Sequence, residues 1–354
     1  MSNSKLSDFW FTAKPEETQL SLDEVKQIRV REIHRDFKII NQSQQWEPRW
    51  FLKVLDCAIN TLNIKDGYMG GRPSLAPLSE KIKICCIKQY HLKGARRSVY
   101  NMEFARNNNY LFVSKISENF FNRINDYMKD ERLTPYLQEL ISILSEPLIG
   151  FEENFAIDGS GFKIARGKPN YIRIRTDMKE RRGYIGCHII VGIKSKIIPY
   201  AFVSKGYVHD NNFFKPLILK TKEKFNIKEI YADSAYLSTS GINLCHSLKI
   251  KTYIPPKENT IIKGLRASPW KSHIDRYYKD MELGKERRYT LRANVEATFN
   301  MIKSVFSDVL RSKTETARRN ELLCRIICHN IRCLIYSYFK GDIAFPFSVS
   351  SSFE

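Results

Sequence analysis

Two aspartates stand at the ends of apolar runs, in segments that suit chemistry on phosphates. Asp158 ends the run NFAID and is followed by the small residues GSGF, and Asp233 ends IKEIYAD and is followed by SAY. Each run predicts a strand, and ligands collect at strand ends in open α/β sheets. The small residues would let a metal or a phosphate backbone come close. One such aspartate is also a common helix N-cap, so the pair is the stronger indication.

A third acid, Glu296, lies in the segment RYTLRANVEATFNMIK at 288–303. Read as one helix, this segment places Tyr289, Arg292, Glu296 and Lys303 on a single face. A neighbouring stripe is apolar and consists of Leu291, Val295, Phe299 and Ile302. Taken alone, the pattern fits a solvated charged face as well as a functional one.

Together, the three carboxylates predict a site for hard cations. Oxygen ligands suit Mg²⁺ or Mn²⁺ rather than zinc. Two such ions about 4 Å apart can activate a water or a 3′-hydroxyl and stabilise a leaving 3′-oxygen. Asp158, Asp233 and Glu296 are far apart in the sequence, so only the fold can bring them together.

The formal net charge of +20 indicates which partners the protein could bind, and it says little about the fold. Nucleic acid is the commonest partner of so basic a chain, and an anionic membrane surface is the rival. The sequence has no apolar run of about 18 residues and no secretory signal at its start. We therefore expect a soluble, cytoplasmic protein that is associated with the nucleoid and not with a membrane.

Eight cysteines are spread along the chain, and they are expected to be free thiols. The segment LCRIICHNIRCLI brings Cys324, Cys328, His329 and Cys333 within ten residues, which raises the question of zinc. Zinc ligands usually come in two short, separated pairs, so a buried helix that uses cysteine as a small apolar residue is the preferred interpretation.

Residue composition and hydrophobic periodicity divide the chain into four segments. Residues 1–66 predict two helices of unknown role, and 67–150 predict four short helices that suit a DNA-binding region. Residues 151–340 follow the order β–β–β–α–β–α–β–α, which describes a mixed sheet flanked by helices. Residues 341–354 predict a loose tail.

A family resemblance follows from these motifs. The blocks AIDGSGF and YADSAY, with the full signature Tyr-x2-Arg-x3-Glu-x6-Lys at Tyr289, Arg292, Glu296 and Lys303, resemble the DDE transposases of prokaryotic insertion sequences. SKGYVHDNNFF, which carries His209 and Asp210, resembles the segment between the aspartate blocks. The resemblance spans roughly residues 70–337.

The resemblance implies an RNase H-like core, with Asp158 on its first strand, Asp233 on its fourth and Glu296 on a later helix. These three would be catalytic and would bind Mg²⁺ or Mn²⁺, as two ions. In the family, the positions of Tyr289, Arg292 and Lys303 contact DNA near the cut. The segment YIRIR, with Arg173 and Arg175, adds a second basic surface that would follow phosphates.

The implied activity is DNA cleavage at terminal inverted repeats and strand transfer into target DNA, by a homodimer or a higher synaptic oligomer. The segment 257–288, with Trp270, Tyr277 and Tyr278, is expected to be a basic loop that either holds a DNA end or is simply solvated. Two alternatives stay open: a catalytically degenerate transposase that acts as a repressor, and another RNase H-like nuclease such as a resolvase.

Overall fold

The computed structural model describes residues 22–65, 76–91, 95–113, 116, 120–165, 183–206, 208–257, 260, 268–285 and 287–344, with the backbone alone at 22–36, 95–97, 121 and 287. The chain divides into two compact units, residues 1–46 and residues 47–354. Among the described residues, no helix is both long and apolar enough to cross a membrane.

The N-terminal helical region differs from its prediction in one respect. A single helix, α1, is assigned from Leu22 to Asn60, with Pro48 inside it, where the sequence indicated two helices. A proline costs a helix one backbone hydrogen bond. Apolar packing after Pro48 outweighs that loss, because the following turns are buried in the core through Phe51, Leu52, Val54, Leu55, Ala58, Ile59 and Leu62.

The four short helices predicted between 79 and 145 are confirmed. They are α2 (Leu78–Tyr90), α3 (Ala95–Asn107), α4 (Phe120–Tyr127) and α5 (Leu133–Ile143). α2 packs on α3, α4 and α5, and both α2 and α5 pack on the long helix α11 (Glu315–Lys340). This helical region therefore belongs to the same compact unit as the sheet.

Helix α11 is the buried helix that the cysteine-rich segment predicted. It begins at the N-cap Thr314, whose hydroxyl accepts from the Ala317 N–H at 3.3 Å, and ends at Gly341 with a φ of 82°. His329 Nε2 donates to the Lys196 carbonyl at 2.9 Å, and Cys328 Sγ to the Cys86 carbonyl at 3.5 Å. These side chains are buried and take part in packing.

The described residues contain a six-stranded mixed sheet of order β3-β2-β1-β4-β5, with β6 also on β1. Its strands are β1 (Asn154–Ile164), β2 (Tyr184–Gly192), β3 (Tyr200–Lys205), β4 (Glu229–Ala232), β5 (Lys251–Tyr253) and β6 (Val309–Leu310). β1, β2 and β3 are antiparallel neighbours, whereas β4, β5 and β6 run parallel to β1. The expected RNase H-like mixed sheet flanked by helices is confirmed.

Helices cover both faces of this sheet. One face packs against α6 (Phe214–Lys222), α7 (Thr239–Ser247) and α8 (Pro269–Glu282), and we call it the α6 face. The other packs against α10 (Ala293–Phe306) and α11, and we call it the α10 face. The side chains of β1 alternate between them, with Phe155 and Ile157 on the α6 face and Ala156 and Phe162 on the α10 face.

The expectation of a basic loop at 257–288 is wrong in its second half, which is helix α8. Ser268 is the N-cap, its hydroxyl accepting from the Lys271 N–H at 3.2 Å, and Pro269 is the first helical residue. Serine followed by proline is a helix start signal, and it outweighs the basic composition. Trp270 is consequently half-buried against the core of the α6 face.

The sheet has a gap beside the middle of β1. β4 pairs with β1 only as far as Ile157↔Ala232, and β6 pairs with it only from Lys163↔Val309. Between these points, β1 has no strand partner on that side among the described residues. Groups from both faces of the sheet can therefore meet at the gap.

A buried arginine of α11, paired with a glutamate of the same helix, binds the chain that follows α10. The Arg325 guanidinium lies 2.6 Å from Glu321 Oε1 and donates to the carbonyls of Ser307 and Val309, each at 2.8 Å. Glu321 also accepts from the backbone N–H groups of Arg311 and Ser312. Arg325 is 1% exposed, and its two bonds to carbonyls anchor the turn from α10 to β6.

Replacing Arg325 with methionine is expected to destabilise the protein by about 3–5 kcal/mol, because the Glu321 carboxylate would stay buried without its cation. Denaturant unfolding of the full chain measures this. Arg319→Ala is the matched control, since it breaks an exposed pair with Glu315 and should cost less than about 1 kcal/mol. Equal, small losses in both variants would contradict the assignment.

Candidate active site

Asp158 lies in the middle of β1 and not at its end, which corrects the prediction. It is the fifth of eleven strand residues, and it continues the alternation of Ala156 onto the α10 face. The strand that ends here is its neighbour β4. Since Ile157 pairs with Ala232, the next residues, Asp158 and Asp233, lie side by side at the start of the gap.

Asp233 follows the last residue of β4 and caps a short 3-10 turn, Ser234–Tyr236. Its Oδ1 accepts from the Ser234 N–H at 2.6 Å. That bond uses one carboxylate oxygen and leaves the other directed outward, with the side chain 49% exposed. The N-cap interpretation and the ligand interpretation of this aspartate are therefore compatible.

Glu296 lies in the first turn of α10, but the signature does not form the single helix that was expected. A short helix α9 (Arg287–Thr290) ends before Arg292, which is the N-cap residue of α10. Tyr289 is therefore separated from the Glu296 helix. The predicted apolar stripe does hold α10 to the sheet, because Val295, Phe299 and Ile302 are buried on the α10 face.

Arg292 brings two of the carboxylates together. Its Nη1 lies 2.8 Å from Glu296 Oε1 and 3.9 Å from Asp233 Oδ2. Asp158 interacts electrostatically with both Arg292 and Glu296. Asp233 and Glu296 thus flank one cationic side chain, and Asp158 lies within electrostatic range of it.

The surroundings of Asp158 disfavour the charged form of its carboxyl group. Burial, with smaller contributions from Glu296 and Asp210, raises its pKa to about 6, although the Gly159 N–H and Arg292 act in the opposite direction. A buried carboxylate with acidic neighbours favours either a proton or a metal cation. The electrostatics of the site therefore fit a bound cation.

The donor set suits a hard divalent cation, since it consists of carboxylate oxygens alone. Among the described residues, no group of three or more histidine, cysteine or acidic side chains is close enough to form a ready-made metal site. The Arg292 guanidinium lies between Asp233 and Glu296. The residues fit the expected Mg²⁺ or Mn²⁺ in chemistry, and they would hold it with Arg292 moved aside.

Lys303 lies beside β1 and contacts Ser160, and its predicted role in DNA binding stays a prediction. Its Nζ donates to Ser160 Oγ at 2.6 Å and lies 5.2 Å from the centre of the Phe162 ring. Ser160 is two residues beyond Asp158 and on the same face of β1. Partial burial lowers the pKa of Lys303, and Asp158 is among the groups that act against this.

Tyr289 is part of an aromatic cluster near β5. Its ring packs edge-on against Tyr253 and Tyr277, at centroid distances of 5.4 and 5.0 Å, and its hydroxyl lies 3.5 Å from Asp280 Oδ2. The structure does not place it against the three carboxylates. Its predicted DNA contact stays a prediction, as do those of Arg173 and Arg175, which lie outside the described residues.

Asp210 and His188 adjoin the site, although the sequence had not indicated them as site residues. Asp210 is the first residue of a 3-10 turn before α6, and its Oδ1 lies 3.1 Å from Nδ1 of the buried His188. The acidic residue at the start of an amphipathic helix was the available signal. His188 lies in an apolar strand, where no sequence signal marked it as a site residue.

Asp158→Asn is expected to stabilise the protein at pH 7.5 without metal, by up to about 2 kcal/mol. The folded pKa of about 6 exceeds the ordinary value of 3.8, so stability is lost as pH rises through this window. Asparagine carries no such cost and keeps an acceptor for the Gly159 N–H. The gain should therefore vanish near pH 4.

Denaturant unfolding in a chelator, at pH 7.5 and at pH 4, measures the difference. Asp126→Asn is the control, because Asp126 is exposed and paired with Lys129. An equal loss of stability from Asp158→Asn at both pH values would contradict the account of this carboxylate.

Comparison with known proteins bears on this arrangement. The family described as transposase DDE domain matches residues 149–331. The synaptic complex of piggyBac transposase with hairpin DNA, solved by cryo-electron microscopy, is a similar structure with a TM-score of 0.40 and 14% identity, covering 82% of this chain and 72% of that one. None of the curated proteins matches.

The family match includes β1 with Asp158, β4 with Asp233 and α10 with Glu296, and it covers more than half of the chain. This chain belongs to the transposase DDE-domain family.

Proposed function

We propose that the protein is an active DNA transposase, which cuts DNA at the ends of an insertion sequence and joins the freed ends to target DNA. The observation that carries the proposal is the meeting of Asp158, Asp233 and Glu296 around Arg292. All three carboxylates of the expected triad are present in one place, which favours catalysis over a degenerate, purely DNA-binding role.

The three carboxylates would hold Mg²⁺ or Mn²⁺, as two ions. When bound, such ions activate an attacking water or 3′-hydroxyl and stabilise the leaving 3′-oxygen. The protein contributes a fixed scaffold. Asp158 is set by the β1–β2 ladder, Asp233 by its N-cap bond and Glu296 by the buried stripe of α10.

Cationic side chains at the edge of the site would position the DNA backbone. The Arg292 guanidinium can hold a phosphate through two parallel hydrogen bonds. Lys303 supplies a compact charge beside Ser160, two residues along β1 from Asp158. A strand held by Arg292 and Lys303 would place its phosphodiester next to the carboxylates, which is the orientation that cleavage needs.

The helical region at 67–150 is proposed as a further DNA contact. Tyr100 and Phe104 lie one turn apart on α3 and are 72% and 54% exposed, and Phe112, soon after α3, is 66% exposed. Exposed aromatic rings on a chain of net charge +20 suit stacking on bases together with phosphate contacts. The partners would be terminal repeats and target DNA, and the protein would act at the nucleoid as a homodimer or larger assembly.

The activity is tested with DNA that carries the inverted repeats flanking the gene. With Mg²⁺, the wild-type chain should nick the repeat ends and transfer strands. Asp158→Asn, Asp233→Asn and Glu296→Gln should each reduce both activities by about 10³-fold or more, because each removes a charged oxygen ligand. Gel electrophoresis of labelled DNA gives the rates.

Glu223→Gln is the matched control, since Glu223 is exposed and pairs only locally with Lys220. It should leave cleavage unchanged. Full activity of the three site variants would overturn the proposal. DNA binding without metal-dependent nicking would favour a repressor, and preferential cutting of branched junctions would favour a resolvase.

A further inference from the structure

We infer that Asp210 is a fourth carboxylate of the cation site and that the buried His188 positions it. The inference rests on the proposed function and extends it, because the expected triad accounts only for Asp158, Asp233 and Glu296. Asp210 approaches from the α6 face of the sheet and lies over Gly159, the residue after Asp158 in β1. The site would then take ligands from both faces.

The place of Asp210 follows from local structure. It is the first residue of the 3-10 turn Asp210–Phe213 that leads into α6. The side chain of His209 caps this turn, with Nδ1 accepting from the Asn211 N–H at 3.2 Å. The cap fixes the backbone, so the Asp210 side chain starts from a defined position.

His188 sets the position of the Asp210 carboxylate. The imidazole is 2% exposed and stacks on Phe213, with ring centroids 3.8 Å apart. Nδ1 lies 3.1 Å from Asp210 Oδ1, and Nε2 lies 2.8 Å from Ser204 Oγ. Nδ1 makes no hydrogen bond among the described residues, so His188 holds Asp210 through the packing of its stacked ring against the carboxylate.

Gly159 makes room for this carboxylate. A Cβ atom at residue 159 would lie 2.5 Å from Asp210 Oδ1 and 3.0 Å from His188 Nδ1. Asp210 therefore lies directly over the residue that follows Asp158 in β1. The closeness of the two carboxylates is also visible electrostatically, because Asp210 acts on Asp158.

A buried hydroxyl gives independent evidence that something binds here. Tyr236 is 1% exposed, and its hydroxyl has no hydrogen-bond partner among the described residues. Burial first, and then Asp158, Asp210 and Asp233, raise the pKa of Tyr236 far above its usual range, so the phenol stays a donor. A buried donor without an acceptor, in the field of three carboxylates, indicates an oxygen ligand among them.

A purely structural role for Asp210 does not fit its surroundings. Among the described residues, its only ion-pair contact is with His188, and burial keeps the pKa of that imidazole low. The carboxylate is 46% exposed and adds negative charge beside Asp158. Placing like charges together is unfavourable unless a cation joins them.

The test measures Mn²⁺ binding to the full chain without DNA, from the electron paramagnetic resonance signal of free Mn²⁺. Asp210→Asn should weaken binding by about 10-fold or more, as loss of a supporting ligand does. Glu223→Gln should leave binding unchanged. Thermal unfolding in a chelator should show that Asp210→Asn folds as the wild type does.

The same titration separates this inference from the proposed function. If Asp158→Asn abolishes Mn²⁺ binding while Asp210→Asn matches the wild type, the fourth carboxylate is wrong and the triad stands. If the wild-type chain binds no Mn²⁺ with or without repeat DNA, the metal-dependent function fails, and this inference fails with it.

Two further variants test the positioning. Gly159→Ala should displace Asp210 and weaken Mn²⁺ binding to a similar extent, and the double variant with Asp210→Asn should be no weaker than either alone. His188→Phe, which can still stack on Phe213, should weaken binding in the wild-type background only. Additive losses in either pair would overturn the assignment, because a general structural effect does not depend on Asp210.

Discussion

The site depends on a concentration of negative charge that the fold itself does not neutralise. Asp158, Asp233 and Glu296 are held close together, and Arg292 is the cation between two of them. Burial, and to a smaller extent Glu296 and Asp210, raise the pKa of Asp158 to about 6 although Arg292 acts to lower it. On the proposed function, cations and a DNA phosphate would offset this unfavourable arrangement of charge. We read this imbalance as the physical basis of function.

The fold holds the three carboxylates close together. Strand alternation turns Asp158 to the face that carries α10, Asp233 follows the last pair of β4 beside it, and the buried stripe of α10 fixes Glu296. The early end of β4 opens the gap in which groups from both faces meet. The Arg325–Glu321 pair secures the far end of α10. Stability is thus supplied by the core around the site, whereas the site itself is costly.

Sequence reasoning could predict the elements because their signals are local. The helices from α2 to α5, the order of strands and helices and the three carboxylates follow from periodicity and short motifs. Sequence reasoning could not place Tyr289, because no glycine or proline marks the break between α9 and α10. It took the middle of β1 for an end, since a strand continues through polar residues when a neighbour pairs with them.

Residues that act through tertiary contacts were the hardest to predict. His188 sits in an apolar strand, and only the fold shows that its ring faces Asp210. β6 is two residues long and carries no pattern, yet it defines one side of the gap. The role of Arg325 likewise depends on carbonyls that only the folded turn presents. Contacts between residues that are distant in the sequence produce no periodic pattern, so a single sequence does not reveal them.

The central claim is that the carboxylates form one divalent-cation site. The most direct measurement is anomalous diffraction from crystals of the full chain grown with Mn²⁺ and repeat-end DNA. The account predicts a manganese peak within ligand distance of Asp158, Asp233 and Glu296, with Arg292 displaced toward a phosphate. Manganese bound elsewhere, with Arg292 still between Asp233 and Glu296 beside bound DNA, would contradict it.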